Sequence, residues 1–303
     1  MSSLFAFYLS TLLLLAPLLV CVGVGTVWGK RALPYSGDFV SRLVTSVCVP
    51  ALVFRTLVLT ELDNRLLLEI GVVTVLALGL SVAACWLILR ALRMPVRELV
   101  MTAAFPNAGN LGLPMAALAF GETGFSAAIV FFAVCAFVHN TFGVRLLPGA
   151  NTGAVWRSPV LLASLLAVIC RAGELTVPAW MLESMELLGR LTVPLMLFSL
   201  GYALSAIPAS GMRAGGAIAV MRLVVGGASG WAAAWLLGLD AQMRSLMLMQ
   251  MAMPCAVISY MFAARYSSRA EISAGAVLLS TALFLVASPL IMALVGAPIA
   301  AAR

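Results

Sequence analysis

Apolar residues run along this chain in blocks of about twenty, a length that carries a helix across the hydrocarbon core of a bilayer. Short segments holding nearly all the charge separate the blocks. The first block, residues 1–29, is uncharged, and Lys30 and Arg31 follow it instead of preceding it, which is the wrong polarity for a cleaved leader. It reads as a retained first span. Later spans are centred on 39–60, 66–92, 98–120, 124–146, 154–172, 178–205, 211–237, 244–264 and 272–295. A lipid-exposed backbone must satisfy its own hydrogen bonds, and these runs are too long for barrel strands, so the spans are helices. The pattern predicts an all-α integral membrane protein of about ten transmembrane helices.

Composition agrees. Of 303 residues 63% are hydrophobic and 10% charged, with a mean hydropathy of +1.12, whereas soluble domains run at roughly 25% charged. The 6 cysteines form no CxxC pair and indicate no disulfide framework. The net charge of +7 does not indicate a nucleic-acid partner, because the basic residues sit in loops between apolar runs. With the N-terminus outside, the cytoplasmic loops hold Lys30, Arg31, Arg90, Arg93, Arg97, Arg145, Arg157, Arg213, Arg265 and Arg269. The other side keeps Arg65, Arg171, Arg244 and Arg303. The expected setting is the cell inner membrane, with both termini outside.

The two halves of the chain repeat. Pro34 and Pro50 recur as Pro178 and Pro194 at an offset of 144, and VPALVF (residues 49–54) matches VPLMLF (193–198). Arg97, Leu99, Ser126, Ala127 and Val130 recur as Arg244, Leu246, Ser273, Ala274 and Val277 at an offset of 147. Two five-helix repeats, 1–147 and 148–303, follow, and because five is odd they enter the membrane from opposite sides. Inverted repeats of this kind underlie alternating-access transport.

The fourth span contains FPNAGNLGLP, residues 105–114. Pro106 and Pro114 each delete a backbone donor, Gly109 and Gly112 remove side-chain support, and Asn107 and Asn110 place amides at midspan. At the matching place the ninth span carries Met253, Pro254 and Cys255, then Ser259 and Tyr260. Two interrupted helices at corresponding positions mark a substrate site. Pro114 and Pro254 suit the first turn of each second half-helix, whose amide groups and positive dipole end favour an anion such as a carboxylate. The first half-helices point their negative ends inward, toward a cation or proton. Asn107 and Asn110 either contact substrate or patch the broken backbone.

The stretch PNAGNLGLPMAALAFG (106–121) resembles the N-x-G-N-x-G-x-P segment of the auxin efflux carrier family of membrane transporters. LTVPLMLFSLGYAL (191–204) and MAMPCAVISYMFAARY (251–266) resemble that family's seventh and ninth spans. The resemblance implies broken spans four and nine that cross at the membrane midplane near Pro114 and Pro254. It implies a scaffold of spans 1, 2, 6 and 7, a transport domain of spans 3–5 and 8–10, and a homodimer. Family substrates are organic anions, auxin in plants and malonate or related carboxylates for bacterial members. The long soluble loop of many plant carriers is absent, and the Ala/Arg-rich, Lys-poor composition points to a bacterial type.

Other residues carry two readings each. Arg55 and Arg222 are intramembrane charges that either draw an anion into the cavity or serve structure at an interface or in a network. The acids Asp38, Glu61, Asp63, Glu69, Glu98, Glu122, Glu174, Glu183, Glu186, Asp240 and Glu271 lie at span ends or in loops, so no carboxylate motor is visible at midspan. His139, beside Asn140 and Thr141 in span five, is either a proton relay or a hydrogen-bonded helix contact. The methionines from Met243 to Met253 and Cys255 point to different helix faces, as packing residues do and a soft-metal path does not. No metal or cofactor is expected. The sequence thus reads as a secondary carrier of a small organic anion. A sodium-coupled bile-acid-type symporter is the rival within transport. A membrane enzyme, which lacks HExxH, GxSxG or paired midspan acids here, and a receptor are rivals outside it.

Overall fold

The structure is a computed structural model, and it describes residues 16–17, 19–60, 62–148, 159–206 and 211–296. Helices occupy each expected span. They are α1 Leu19–Lys30; α2 Gly37–Leu43 and α3 Val49–Leu59, joined by a π turn, Val44–Cys48; α4 Asn64–Ala91; and α5 Val96–Ala104. After a second π turn, Ala108–Gly112, α6 runs Leu113–Val138 and passes into a third, His139–Gly143. Then follow α7 Pro159–Ala172, α8 Ala179–Arg190, α9 Thr192–Ala206, α10 Met212–Leu236, α11 Ala241–Met251, α12 Val257–Tyr266 and α13 Ala270–Leu294. No strand forms among the described residues.

By length and apolar composition α4, α10, α13 and the run Ala108–Gly143 can each cross a membrane. The last of these is two helices, because Gly121 sits inside it at φ 64° and ψ −155°, a conformation open to glycine and closed to other residues. The chain therefore turns at Gly121, between the expected fourth and fifth spans. Acids at span ends act as caps. Asp63 accepts from the Leu66 N–H at 2.6 Å and Asp240 from the Met243 N–H at 2.8 Å, satisfying donors that the first turns of α4 and α11 leave free. Glu186 departs from the expectation for acids, since it lies within α8 and not at a span end. It is held there by two arginines, Arg55 of α3 at 2.7 Å and Arg190 one turn on.

Most helices pack within one of two sets, which also touch each other through α6 against α3 and α7 and through the π turn Ala108–Gly112 against α9. In one, α10 lies against α4, α5, α11 and α13, α4 against α5 and α6, and α12 against α5 and α13. In the other, α3 lies against α7 and α8, α8 against α9, and α2 against α9. Helix α1 joins the second group. The Thr26 hydroxyl donates to the Gly201 carbonyl at 3.1 Å, and a Cβ on Gly25 or Gly201 would strike the facing backbone. Small residues let these backbones approach, as is usual where lipid leaves no hydrophobic drive between helices. Arg171 at the end of α7 donates to the carbonyls of Leu57, Thr60 and Leu62, capping the C-terminal end of α3.

Between the groups lies a lateral cleft of about 1610 Å³ walled by α4, α6 and α7 and reaching inward to Phe105. Its lining is apolar apart from residues such as Asn64 and Ser164. That surface suits acyl chains and offers an anion few partners.

Candidate functional site

The two interrupted helices meet at their interruptions. Phe105 ends α5 in an extended conformation (φ −97°, ψ 126°), as expected of a residue before proline. Pro106 then pairs with Cys255 as an antiparallel bridge. The Asn107 N–H donates to the Pro254 carbonyl at 2.8 Å and the Ala256 N–H to the Phe105 carbonyl at 3.2 Å. Each break thus supplies the partners the other needs, which is how irregular backbone survives inside a membrane protein. Ser280 of α13 takes a further donor, the Cys255 N–H, at 3.0 Å.

The first half-helices end on one side of this bridge. The carbonyls of Ala103 and Ala104 close α5, that of Met251 closes α11, and all three accept hydrogen bonds from Arg222 of α10. Arg222 is fully buried. Both terminal nitrogens of this arginine are thus engaged by the helix ends. Arg55 is likewise engaged, by Glu186 of α8, and is not brought to the crossing.

The second half-helices begin on the other side. Asn107 stands at the N-cap position of the π turn Ala108–Gly112, and Ala256 at that of α12. Their first amide groups have no intrahelical acceptors and carry the positive dipole end. Pro114 is the second residue of α6, one turn beyond Asn110. Pro254 is not in the first turn of α12, as the sequence suggested. It lies in the extended break, where its missing donor costs nothing and its carbonyl serves Asn107.

Two amide atoms are left over. Asn107, 5% exposed, has a buried Nδ2 without a hydrogen-bond partner. Gln250, fully buried in the last turn of α11, donates its Nε2 to the Gly112 carbonyl at 2.8 Å and leaves its Oε1 unpartnered. A spare donor and a spare acceptor therefore sit beside the π turn. Gln250 was not among the sequence candidates, although an amide in the apolar run before Pro254 is a signal of the same kind as Asn107. Gly109 faces the other helix group, with Met196 of α9 and Phe132 of α6 where a Cβ would go. Asn110 is half-buried in the same turn.

His139 reaches the crossing from the third π turn. Its ring stacks on Phe105 at 4.3 Å, meets Phe262 edge-on, and shares a 3.1 Å hydrogen bond through Nε2 with the Ser259 hydroxyl. The histidine thus ties the fifth span to both broken helices. Tyr260, one residue on, is half-buried against the apolar core. The Asn140 side chain lies outside the described residues.

A multi-pass helical membrane protein with two interrupted helices joined at their breaks is the class this fold defines. The model of the membrane transport protein family matches the chain over residues 13–157 and again over 154–292. The chain belongs to this family, that of the auxin-efflux-carrier type of transporter. An uncharacterized transporter, MJ1031, of Methanocaldococcus jannaschii is 25% identical over 196 residues, which cover 60% of this chain and 63% of that protein.

Proposed function

We propose that this transporter is a secondary carrier that moves a small organic anion, a carboxylate such as malonate, across the cell inner membrane by alternating access. The observation that carries the reading is the crossing. Two half-helix N-termini begin beside the Pro106–Cys255 bridge, next to the unpartnered Nδ2 of Asn107, while the opposing negative ends are already neutralised by Arg222. What remains open there favours negative charge. Asn107, Gly109, Asn110, Gly112 and Gln250 form the proposed binding surface, with Ser259 acting through His139.

The moving unit is the group α4–α6 with α10–α13, and the scaffold is α1–α3 with α7–α9. Support comes from the cleft between them and from Gly109, which faces the scaffold residue Met196. The two family matches, which meet near residue 155, are in keeping with an inverted pair of five-helix units.

The test is uptake of labelled carboxylates into proteoliposomes by the wild type and by Asn107→Ala and Asn110→Ala. The wild type takes up at least one carboxylate and both variants lose most of it, roughly tenfold or more for the loss of a hydrogen bond to a charged group. Undiminished transport by both variants removes the site. Uptake of sugars or cations with no carboxylate transported removes the anion assignment.

A further inference from the structure

Arg222 is the one fully buried charge in the core of the described residues, and its environment contains no carboxylate partner. The ion pairs Arg55–Glu186, Arg65–Glu69 and Arg190–Glu186 lie elsewhere. Its acceptors are instead the carbonyls of Ala103, Ala104 and Met251 and the hydroxyl of Ser81, the last at 3.4 Å. Ser81 itself donates to the Ala104 carbonyl at 3.1 Å. The three carbonyls end the two first half-helices, and each such terminus carries about half a negative charge. Together they present about one negative charge, and one guanidinium meets it.

The surroundings accommodate the two terminal nitrogens of that group, while its Nε is buried without a partner. A Cβ on Gly226, one turn after Arg222, would collide with Arg222 Nη2 and the Met251 carbonyl, so the glycine is what lets the guanidinium lie between α10 and α11. A ring of carbonyl oxygens at half-helix C-termini is also the donor set with which broken-helix carriers hold a coupling cation.

We propose that Arg222 is a resident cation: it permanently fills a monovalent-cation site at the crossing, so that the two broken helices assemble without sodium, and the emptied site accepts a small cation when the side chain is removed. The inference concerns the cation side of the crossing and holds whatever substrate the other side binds.

Thermal unfolding of the purified protein tests it in sodium chloride, potassium chloride and choline chloride, and in choline chloride with low-millimolar guanidinium. The wild type unfolds at the same temperature in all four. Arg222→Ala unfolds roughly 10 °C lower in choline, as expected for an uncompensated buried site, and recovers at least half of that with guanidinium or sodium. Arg222→Met, which refills the space without charge, stays low and does not respond. Wild-type stability in Arg222→Met with choline overturns the proposal, as does an Arg222→Ala variant indifferent to every cation. Should Arg222→Ala fail to fold, the wild type decides: sodium-specific stabilisation of it over choline also overturns the proposal.

Discussion

At the scale of single residues, two glycines separate the chemistry of the crossing from its architecture. A Cβ on Gly112 would meet the end of a flexible side chain, Gln250 Oε1. The glutamine can swing aside and forfeit its bond to the Gly112 carbonyl, at about 1 kcal/mol. A Cβ on Gly226 would meet the Met251 backbone carbonyl and the anchored Arg222, neither of which can yield. Gly112→Ala should therefore fold, with an unfolding temperature within a few degrees of the wild type, while losing most transport; Gly226→Ala should yield little folded protein by size-exclusion chromatography. Equal stability of the two variants would show that Arg222 does not need its passage. The residues concerned were unequally legible in the sequence. The asparagines and glycines of FPNAGNLGLP announce themselves, since their composition contradicts a helix locally. Arg222 is visible as an expensive charge with a structural network as one of its two readings, but its partners are not, because they lie 118 and 29 positions away and are backbone carbonyls without a side-chain signature. Gln250 is legible as an amide in an apolar run, but its partner, the carbonyl of a glycine 138 positions distant, is not.

At the scale of elements, interruption is written into the chain by proline and glycine, and the structure adds that the interruptions are short. Only residues 105–107 and 252–256 leave the helical path. The rest of the expected ten-residue break is a π turn, a form that sets one carbonyl out of register and recurs at functional sites. Periodicity cannot reveal it, since a π turn depends on which tertiary partner takes the displaced group. The backbone groups of the break each need such a partner, and Ser280 provides one from α13. Ser280→Ala leaves the Cys255 N–H buried without an acceptor, at about 1–3 kcal/mol. The expected result is a lower unfolding temperature with transport preserved in the cold, because the hydroxyl of Ser280 serves the Cys255 N–H and is not one of the proposed binding groups. A variant as stable as the wild type would mean that the bridge between Pro106 and Cys255 holds without outside support.

At the scale of the whole molecule, the question is whether the two helix groups move against each other. The span order, and with it the membrane setting, followed from hydropathy alone, because lipid imposes one solution on the backbone. The grouping did not, since the seam between the groups is mostly apolar and carries too few polar residues to mark it in a hydropathy pattern. The seam includes the cleft beside α7, contacts of α6 with α3 and α7, and a close contact where the π turn meets α9. Leu111 of that turn and Leu200 of α9 line one small cavity there, together with Leu19 and Val22 of α1. Cysteines at 111 and 200, in a background where the six native cysteines are replaced, are placed for a short reducible cross-linker. If the site is exposed alternately to the two sides, it must slide along α9, and the cross-link should stop transport, with reductant restoring it. Substrate binding to the locked protein should match that of the same variant before cross-linking, since neither Leu111 nor Leu200 is one of the proposed binding groups. Full transport by the cross-linked carrier would place the moving boundary elsewhere than between the π turn and α9.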